Sequence, residues 1–225
     1  SFPVDTSLFK RNKNYDWDDS DFLKNQVLKT AILLFYANRS VLADRFFNHL
    51  SEDLSLQEKS KLAQLSSDIG LTIGSLSIAK TAADSGVIIP KFYFPVILEA
   101  IEIDKARAPL ITSIIRQESE FLSSAISQVG ALGLMQIMPN TARQMAKKLG
   151  MEYEADLLLS DKEYNIKLGS LFLKLMLEKF NGSKVLAIAA YNAGPYKVNQ
   201  WLKDFGDPRE KGVDPLLWVE LIPYA

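Results

Sequence analysis

Glu118 is the residue whose type and setting point most directly to acid–base chemistry, because it falls on the apolar side of an amphipathic segment. Across residues 111–122, Ile111, Ile114, Ile115, Phe121 and Leu122 recur at helical spacing, and at about 100° per residue Glu118 lies inside their stripe. A carboxyl turned toward an apolar interior is disfavoured as an anion. Its pKa rises, and it can hold a proton for donation near neutral pH. Arg116 and Glu120 stand about 200° around the helix from Glu118 and are expected on the solvated side. The same pattern also admits a plain structural reading, a buried Glu paired with an Arg.

Two further stretches carry polar groups in apolar company. In Gly130-Ala131-Leu132-Gly133-Leu134-Met135-Gln136-Ile137-Met138-Pro139 the glycines permit close backbone approach, and Gln136 offers a donor and an acceptor. This mixture suits a pyranose ring with N-acetyl groups, which binds through amide and hydroxyl hydrogen bonds plus apolar contact. Met135 and Met138 read equally well as core filler. In Ala187-Ile188-Ala189-Ala190-Tyr191-Asn192-Ala193-Gly194-Pro195, Tyr191 and Asn192 arrive where a helix ends and can project into a cleft. Tyr191 can instead satisfy a backbone carbonyl through its phenol.

The elements that must position these groups are helical. Strand signals are nearly absent, so the fold class expected is all-α. Four helices are expected from Asp18 to about Gly86, with Phe22 and Leu23 on the apolar face of the first and breaks near residues 37–39, 51–53 and 70. A capping box, Ser55-Leu56-Gln57-Glu58, starts the third. These helices carry no cluster of convergent polar groups and read as a hairpin-stacked or superhelical scaffold. Residues 86–95, with Gly86, Pro90 and Pro95, break the pattern, which places a boundary near residue 87. The expected division is a scaffold over 1–87 and a second domain over 88–225. In the latter, helices are expected over 101–121, after Asn140 as N-cap, after a second capping box at Ser160-Asp161-Lys162-Glu163, over 183–192 and around 198–202.

Composition narrows the function classes. The 26 Lys+Arg balance 27 Asp+Glu for a net charge of −1, which supplies no basic field for nucleic acid. The longest apolar runs are far shorter than a bilayer-crossing helix requires. With no cysteine there is neither a disulfide nor a thiolate metal site. The single His49 follows Leu42 and Phe46 on an apolar face and is expected to be a packing residue.

Taken in order, Gln117-Glu118-Ser119, the 130–139 stretch with Thr141-Ala142, Asn165-Ile166 with Gly169, and Ala189-Ala190-Tyr191-Asn192-Ala193-Gly194-Pro195 followed by Trp201 resemble the catalytic domain of soluble lytic transglycosylases. These are lysozyme-like enzymes that cleave peptidoglycan, and the resemblance covers roughly residues 90–225. It implies that Glu118 is the catalytic acid/base and that Ser127, Gln136, Met138, Tyr191 and Asn192 line a glycan-binding cleft. Trp218-Val219-Glu220-Leu221-Ile222-Pro223 resembles the closing motif of the family, which implies that Glu220 lies near the site. The family continues with a Glu-Thr-Arg segment, whereas this sequence stops at Ala225.

The resemblance implies cleavage of the bond between N-acetylmuramic acid and N-acetylglucosamine to leave a 1,6-anhydromuramoyl end, with no metal and no cofactor. It further implies a helical linker over 1–87, peptidoglycan strands as partner and a bacterial periplasmic location. Two rivals remain open at this point. A hydrolytic muramidase would need a second acid, for which Glu220 or Asp156 is the residue to inspect. A non-catalytic peptidoglycan-binding scaffold would keep the fold without needing Glu118.

Overall fold

The computed structural model describes residues 24–223. The expected helix onset at Asp18, with Phe22 and Leu23, lies outside the described residues, as does Ala225. Among the described residues the regular structure is helical, and the exceptions are two isolated antiparallel bridges, Ile126 with Leu132 and Leu132 with Ile137. The all-α expectation holds.

The chain forms two compact units. One comprises the described residues up to Leu98 together with Thr112–Leu122, and the other comprises Glu99–Ile111 together with the chain from Ser123 onward. The expected boundary near residue 87 falls on the turn after the fourth helix, eleven positions before this changeover at Leu98.

In the first unit, α1 (Gln26–Tyr36) packs on α2 (Ser40–Ser51), α3 (Leu56–Asp68) packs on α4 (Thr72–Asp84), and α2 also contacts α4. Asn25 caps α1, accepting from the Val27 N–H at 2.8 Å. The predicted capping box opens α3: the Ser55 N–H donates to Glu58 Oε2 at 2.9 Å, and the Glu58 N–H donates to Ser55 Oγ at 3.4 Å. Leu28, Phe47, Leu62 and Ile78 are fully buried among these helices. At about 3–5 kcal/mol for a Phe→Ala truncation in a core, Phe47 alone is a major contributor to this unit. The short α5 (Pro90–Tyr93) completes its helical pairs.

His49 departs from expectation. Its side chain is 74% exposed with Nδ1 3.4 Å from Glu52 Oε2, because α2 turns Leu42 and Phe46 outward as well and buries Ala43 and Phe47 instead.

In the second unit, α10 (Lys162–Lys179) is the central element and packs on α8 (Pro139–Leu149), α9 (Leu157–Ser160) and α11 (Lys184–Ala193). α12 (Pro195–Phe205) follows on α11, and α13 (Pro215–Glu220) brings in Trp218, which is 1% exposed and edge-on to Trp201 at 6.3 Å. The Trp218 indole N–H donates to the Gly206 carbonyl at 3.0 Å, so its polar atom is satisfied where its ring is buried.

Three helix starts differ from expectation. α8 begins at Pro139 behind Met138 rather than after Asn140, since proline suits the first helical position. Asp161, not Ser160, caps α10 by accepting from the Tyr164 N–H at 3.0 Å. α12 begins at Pro195, earlier than the expected 198.

Candidate active site

The expected helix over 101–121 is two helices, α6 (Leu98–Asp104) and α7 (Ala108–Ser119). The Asp104 side chain accepts from the Arg107 N–H at 3.0 Å, a local bond that competes with continuing the helix. α7 stops one residue after Glu118. Phe121 and Leu122 therefore extend the apolar stripe from a turn rather than from the helix.

Glu118 is half-buried at this helix end, and burial pushes its carboxyl above the ordinary glutamate value. Among the described residues it forms no ion pair, so the buried Glu–Arg reading does not apply. Arg116 is engaged elsewhere. Its Nε donates to the Tyr93 carbonyl at 2.9 Å, and its guanidinium lies 4.6 Å from the Tyr93 ring centroid and 5.6 Å from that of Phe94. The expected solvated position of Arg116 is thus replaced by cation–π packing.

The turn that ends α7 is unusual. Leu122 N–H donates to the Ser119 carbonyl at 2.9 Å, and both central residues have positive φ, 50° at Glu120 and 70° at Phe121. That is the type I′ pattern, normally built from Asn-Gly. A non-glycine residue held there costs on the order of 1–3 kcal/mol. Phe121 is 7% exposed, and Glu120 forms an ion pair with Lys80 of α4.

The second unit supplies a loop rich in polar backbone. Residues 125–137 fold on themselves through Ser127 N–H to Ala131 O at 3.0 Å, Gly133 N–H to Ala125 O at 2.9 Å and a reciprocal pair between Leu132 and Ile137. Ser127 Oγ accepts from the Ala131 N–H at 2.9 Å. Gln136 sits at φ 44° and donates its amide N–H groups to Ala125 O at 3.1 Å and Gly133 O at 2.8 Å.

Asn165, 1% exposed on α10, is the residue that fixes this loop. Its Oδ1 accepts from the Met135 N–H at 2.9 Å, and its Nδ2 donates to Leu132 O at 3.0 Å and Leu158 O at 2.9 Å. Asn165 appeared in the sequence only as part of a motif, with no role attached. Gly133 allows this approach: a Cβ there would stand 2.1 Å from the Leu158 carbonyl and 2.2 Å from Asn165 Nδ2.

Tyr191 donates its hydroxyl to the Met135 carbonyl at 2.7 Å while its ring packs on Phe172 at 5.3 Å. The phenol thus satisfies a backbone carbonyl while its ring stays packed. The two methionines separate cleanly: Met135 is fully buried core, whereas Met138 is 43% exposed. The structure thus gathers Ser127, Gln136 and Met138 on one loop, with Tyr191 bonded to it. Asn192 follows on the last turn of α11 and is exposed. Glu220 closes α13 and Asp156 precedes α9, and both are exposed.

A separate cavity of about 610 Å³ opens in the second unit against α6, α8 and α10, lined by Glu102, Arg107, Met151, Lys167 and Lys174 among others. None of the residues proposed from the sequence lines it. Among the described residues no His/Cys/Asp/Glu cluster could hold a metal ion, and no helix is long and apolar enough to cross a membrane.

Comparison with known proteins identifies the family of the chain. The transglycosylase SLT domain matches residues 95–213, more than half of the chain. The chain is 39% identical over 114 residues to the soluble lytic murein transglycosylase of Salmonella typhimurium, a match that takes in 50% of this chain and 17% of that protein. Among solved structures it is similar to the 70 kDa soluble lytic transglycosylase of Escherichia coli, with TM-score 0.77 and 28% identity over 92% of this chain and 33% of that one. It is also similar to an inactive glutamate-to-glutamine mutant of lytic transglycosylase Slt from Pseudomonas aeruginosa, with TM-score 0.68 and 32% identity over 88% of this chain and 34% of that one. The chain therefore spans about a third of the length of these solved relatives.

Proposed function

The chain belongs to the transglycosylase SLT domain family, and from that premise we propose that it is a lytic transglycosylase acting on the glycan strands of bacterial peptidoglycan in the periplasm. The observation that carries this reading is Glu118: a half-buried carboxyl, raised in pKa by burial, with no cation bound to it among the described residues. The inactive glutamate-to-glutamine form of a relative supports a glutamate as the working group.

In this mechanism Glu118 protonates the glycosidic oxygen between N-acetylmuramic acid and N-acetylglucosamine, and the C1–O bond breaks. The oxocarbenium-like centre is stabilised by the N-acetyl oxygen of the substrate, the substrate-assisted exception to the two-carboxylate rule. Glu118, now a carboxylate, takes the proton of the muramoyl C6 hydroxyl as its oxygen bonds to C1. The proton balance closes on Glu118, no water is consumed, and the product carries a 1,6-anhydro end. Attack within one sugar gains from proximity. In this proposal Ser127, Gln136, Met138, Tyr191, Asn192 and Glu220 line the glycan site. Residues 88–225 carry the chemistry, and residues 1–87 act as a scaffold.

Digestion of sacculi in water enriched in heavy oxygen tests the reaction. Unlabelled anhydro ends are expected, and label at the new muramoyl terminus would make water the acceptor and the enzyme a hydrolase. Glu118→Gln should lower turnover by about 100-fold to 10,000-fold while the fold persists. Near-normal turnover by the folded variant would remove Glu118 from the mechanism.

A further inference from the structure

The segment that bears Glu118 ends in a strained turn, and a charged cluster from α2 and α4 reaches it. Glu120 and Phe121, both at positive φ, follow Glu118 within three residues. Two side chains hold that turn in place. Phe121 is buried, and Glu120 is ion-paired with Lys80. Lys80 also acts on a second carboxyl, Asp44 of α2. Burial pushes Asp44 upward, a hydrogen bond from Ser77 opposes this, the charge of Glu120 pushes it up further, and Lys80 and Arg45 pull it down. Asp44 Oδ1 and Asn48 Oδ1, one helical turn apart on α2, are buried with no hydrogen-bond partner. Lys80 therefore pairs with Glu120 on the turn after Glu118, and its charge also favours the Asp44 anion that the charge of Glu120 disfavours.

We propose that Lys80 is a positioning residue for Glu118, holding through Glu120 the left-handed turn that sets where α7 ends and how its last carboxyl is presented. This rests on the transglycosylase reading of Glu118 and gives the scaffold helices a part in the reaction. A turn with bulky residues at positive φ has other conformations open to it, and an α7 that unwinds its last turn changes the backbone at Glu118 and re-aims its carboxyl. The ion pair alone is half-exposed, with side-chain exposures of 38% and 50%, and an isolated pair of that kind contributes little. Removing Lys80 does more than delete it, because the repulsion between the charges of Asp44 and Glu120 then loses the positive charge that offsets it.

The test uses the whole chain. Lys80→Met is expected to lower kcat about five- to tenfold with KM nearly unchanged, the signature of a displaced catalytic group rather than lost binding. Lys80→Arg should restore turnover, and Asp44→Asn placed on Lys80→Met should restore part of it by removing the repulsion. The Leu122 amide, whose bond to Ser119 closes the turn, should exchange its hydrogen faster in Lys80→Met while amides in α8 and α10 keep their protection. Equal kcat in Lys80→Met and the parent overturns the proposal, as does a loss that neither Lys80→Arg nor Asp44→Asn repairs. If the parent leaves sacculi uncut, the transglycosylase reading fails by itself. The Leu122 exchange rate then decides whether Lys80 holds the turn, and an unchanged rate refutes it.

Discussion

Burial raises the Glu118 carboxyl above its ordinary value, so the folded chain binds this proton more tightly than the unfolded chain does. Between the ordinary glutamate pKa and the raised one the folded state carries more protons. Stability contributed by this residue is thus complete below the ordinary value, falls as pH rises through the window and stays lower above it. Glu118→Gln removes the penalty. Scanning calorimetry should find the variant at least as heat-stable as the parent near neutrality, with the difference closing as the pH falls below the ordinary glutamate pKa. A variant clearly less stable at neutral pH would mean that the carboxylate makes favourable contacts. Asn165 presents the opposite case, a buried amide with three bonds to backbone groups. Asn165→Ala should cost about 3 kcal/mol in urea unfolding, since it strands buried donors and acceptors of the loop. The apolar stripe foretold the direction of the Glu118 shift. The Asn165 contacts were not legible in the same way, because its partners lie 7, 30 and 33 residues away and are main-chain atoms that any residue supplies.

The helix start at Ser55 was readable because capping is a local event, whereas two adjacent capping residues, Ser160 and Asp161, left the start of α10 one residue off. The end of α7 was not readable. Its hydrophobic periodicity continues through Phe121 and Leu122, yet Phe121 is buried from a turn at positive φ, a conformation that side-chain type argues against. The loop over 125–137 was legible in composition but not in its restraint by α10. Two of its glycines separate these contributions. Gly130, at φ 84°, has open space where a Cβ would go, so Gly130→Ala should cost about 1 kcal/mol for the left-handed backbone alone. Gly133, at φ 74°, adds the collision with the Leu158 carbonyl. Gly133→Ala is expected to cost at least about 3 kcal/mol, at the upper end of overpacking effects. Equal urea midpoints for the two variants would mean that the loop is not pinned against α10 at this point.

For the molecule as a whole, the division into units bears on what a shortened chain would do. Residues 88–225 contain every residue assigned a chemical role, but Thr112–Leu122 belongs to the unit that α1–α4 build. A fragment that starts at residue 88 discards Lys80, together with α2 and α4, which supply Asp44 and Ser77. It should remain helical through α8 and α10–α12 by circular dichroism, whereas its cleavage of sacculi should fall at least as far as that of Lys80→Met. Full activity per folded molecule would show that the helices before residue 88 contribute no alignment. The scaffold reading of these helices came from their lack of convergent polar groups. The role of Lys80 was hidden because an exposed lysine on a helix face looks like any other until the partner 40 residues away is placed.

The contrast between Met135, with no exposed surface, and Met138, the most exposed of the methionines at 43%, has a consequence for chemical durability. Thioether sulfur oxidises to a polar sulfoxide, and access by the oxidant governs which site reacts first. Dilute peroxide should therefore modify Met138 well before Met135, turning an exposed apolar side chain, proposed above to line the glycan site, into a polar one while the buried thioether stays intact. Peptide mass mapping after partial oxidation should find the added oxygen at Met138, and treatment with methionine sulfoxide reductase should restore the affinity for glycan that was lost. Oxidation that reached Met135 equally fast would show that the loop opens on the timescale of the exposure.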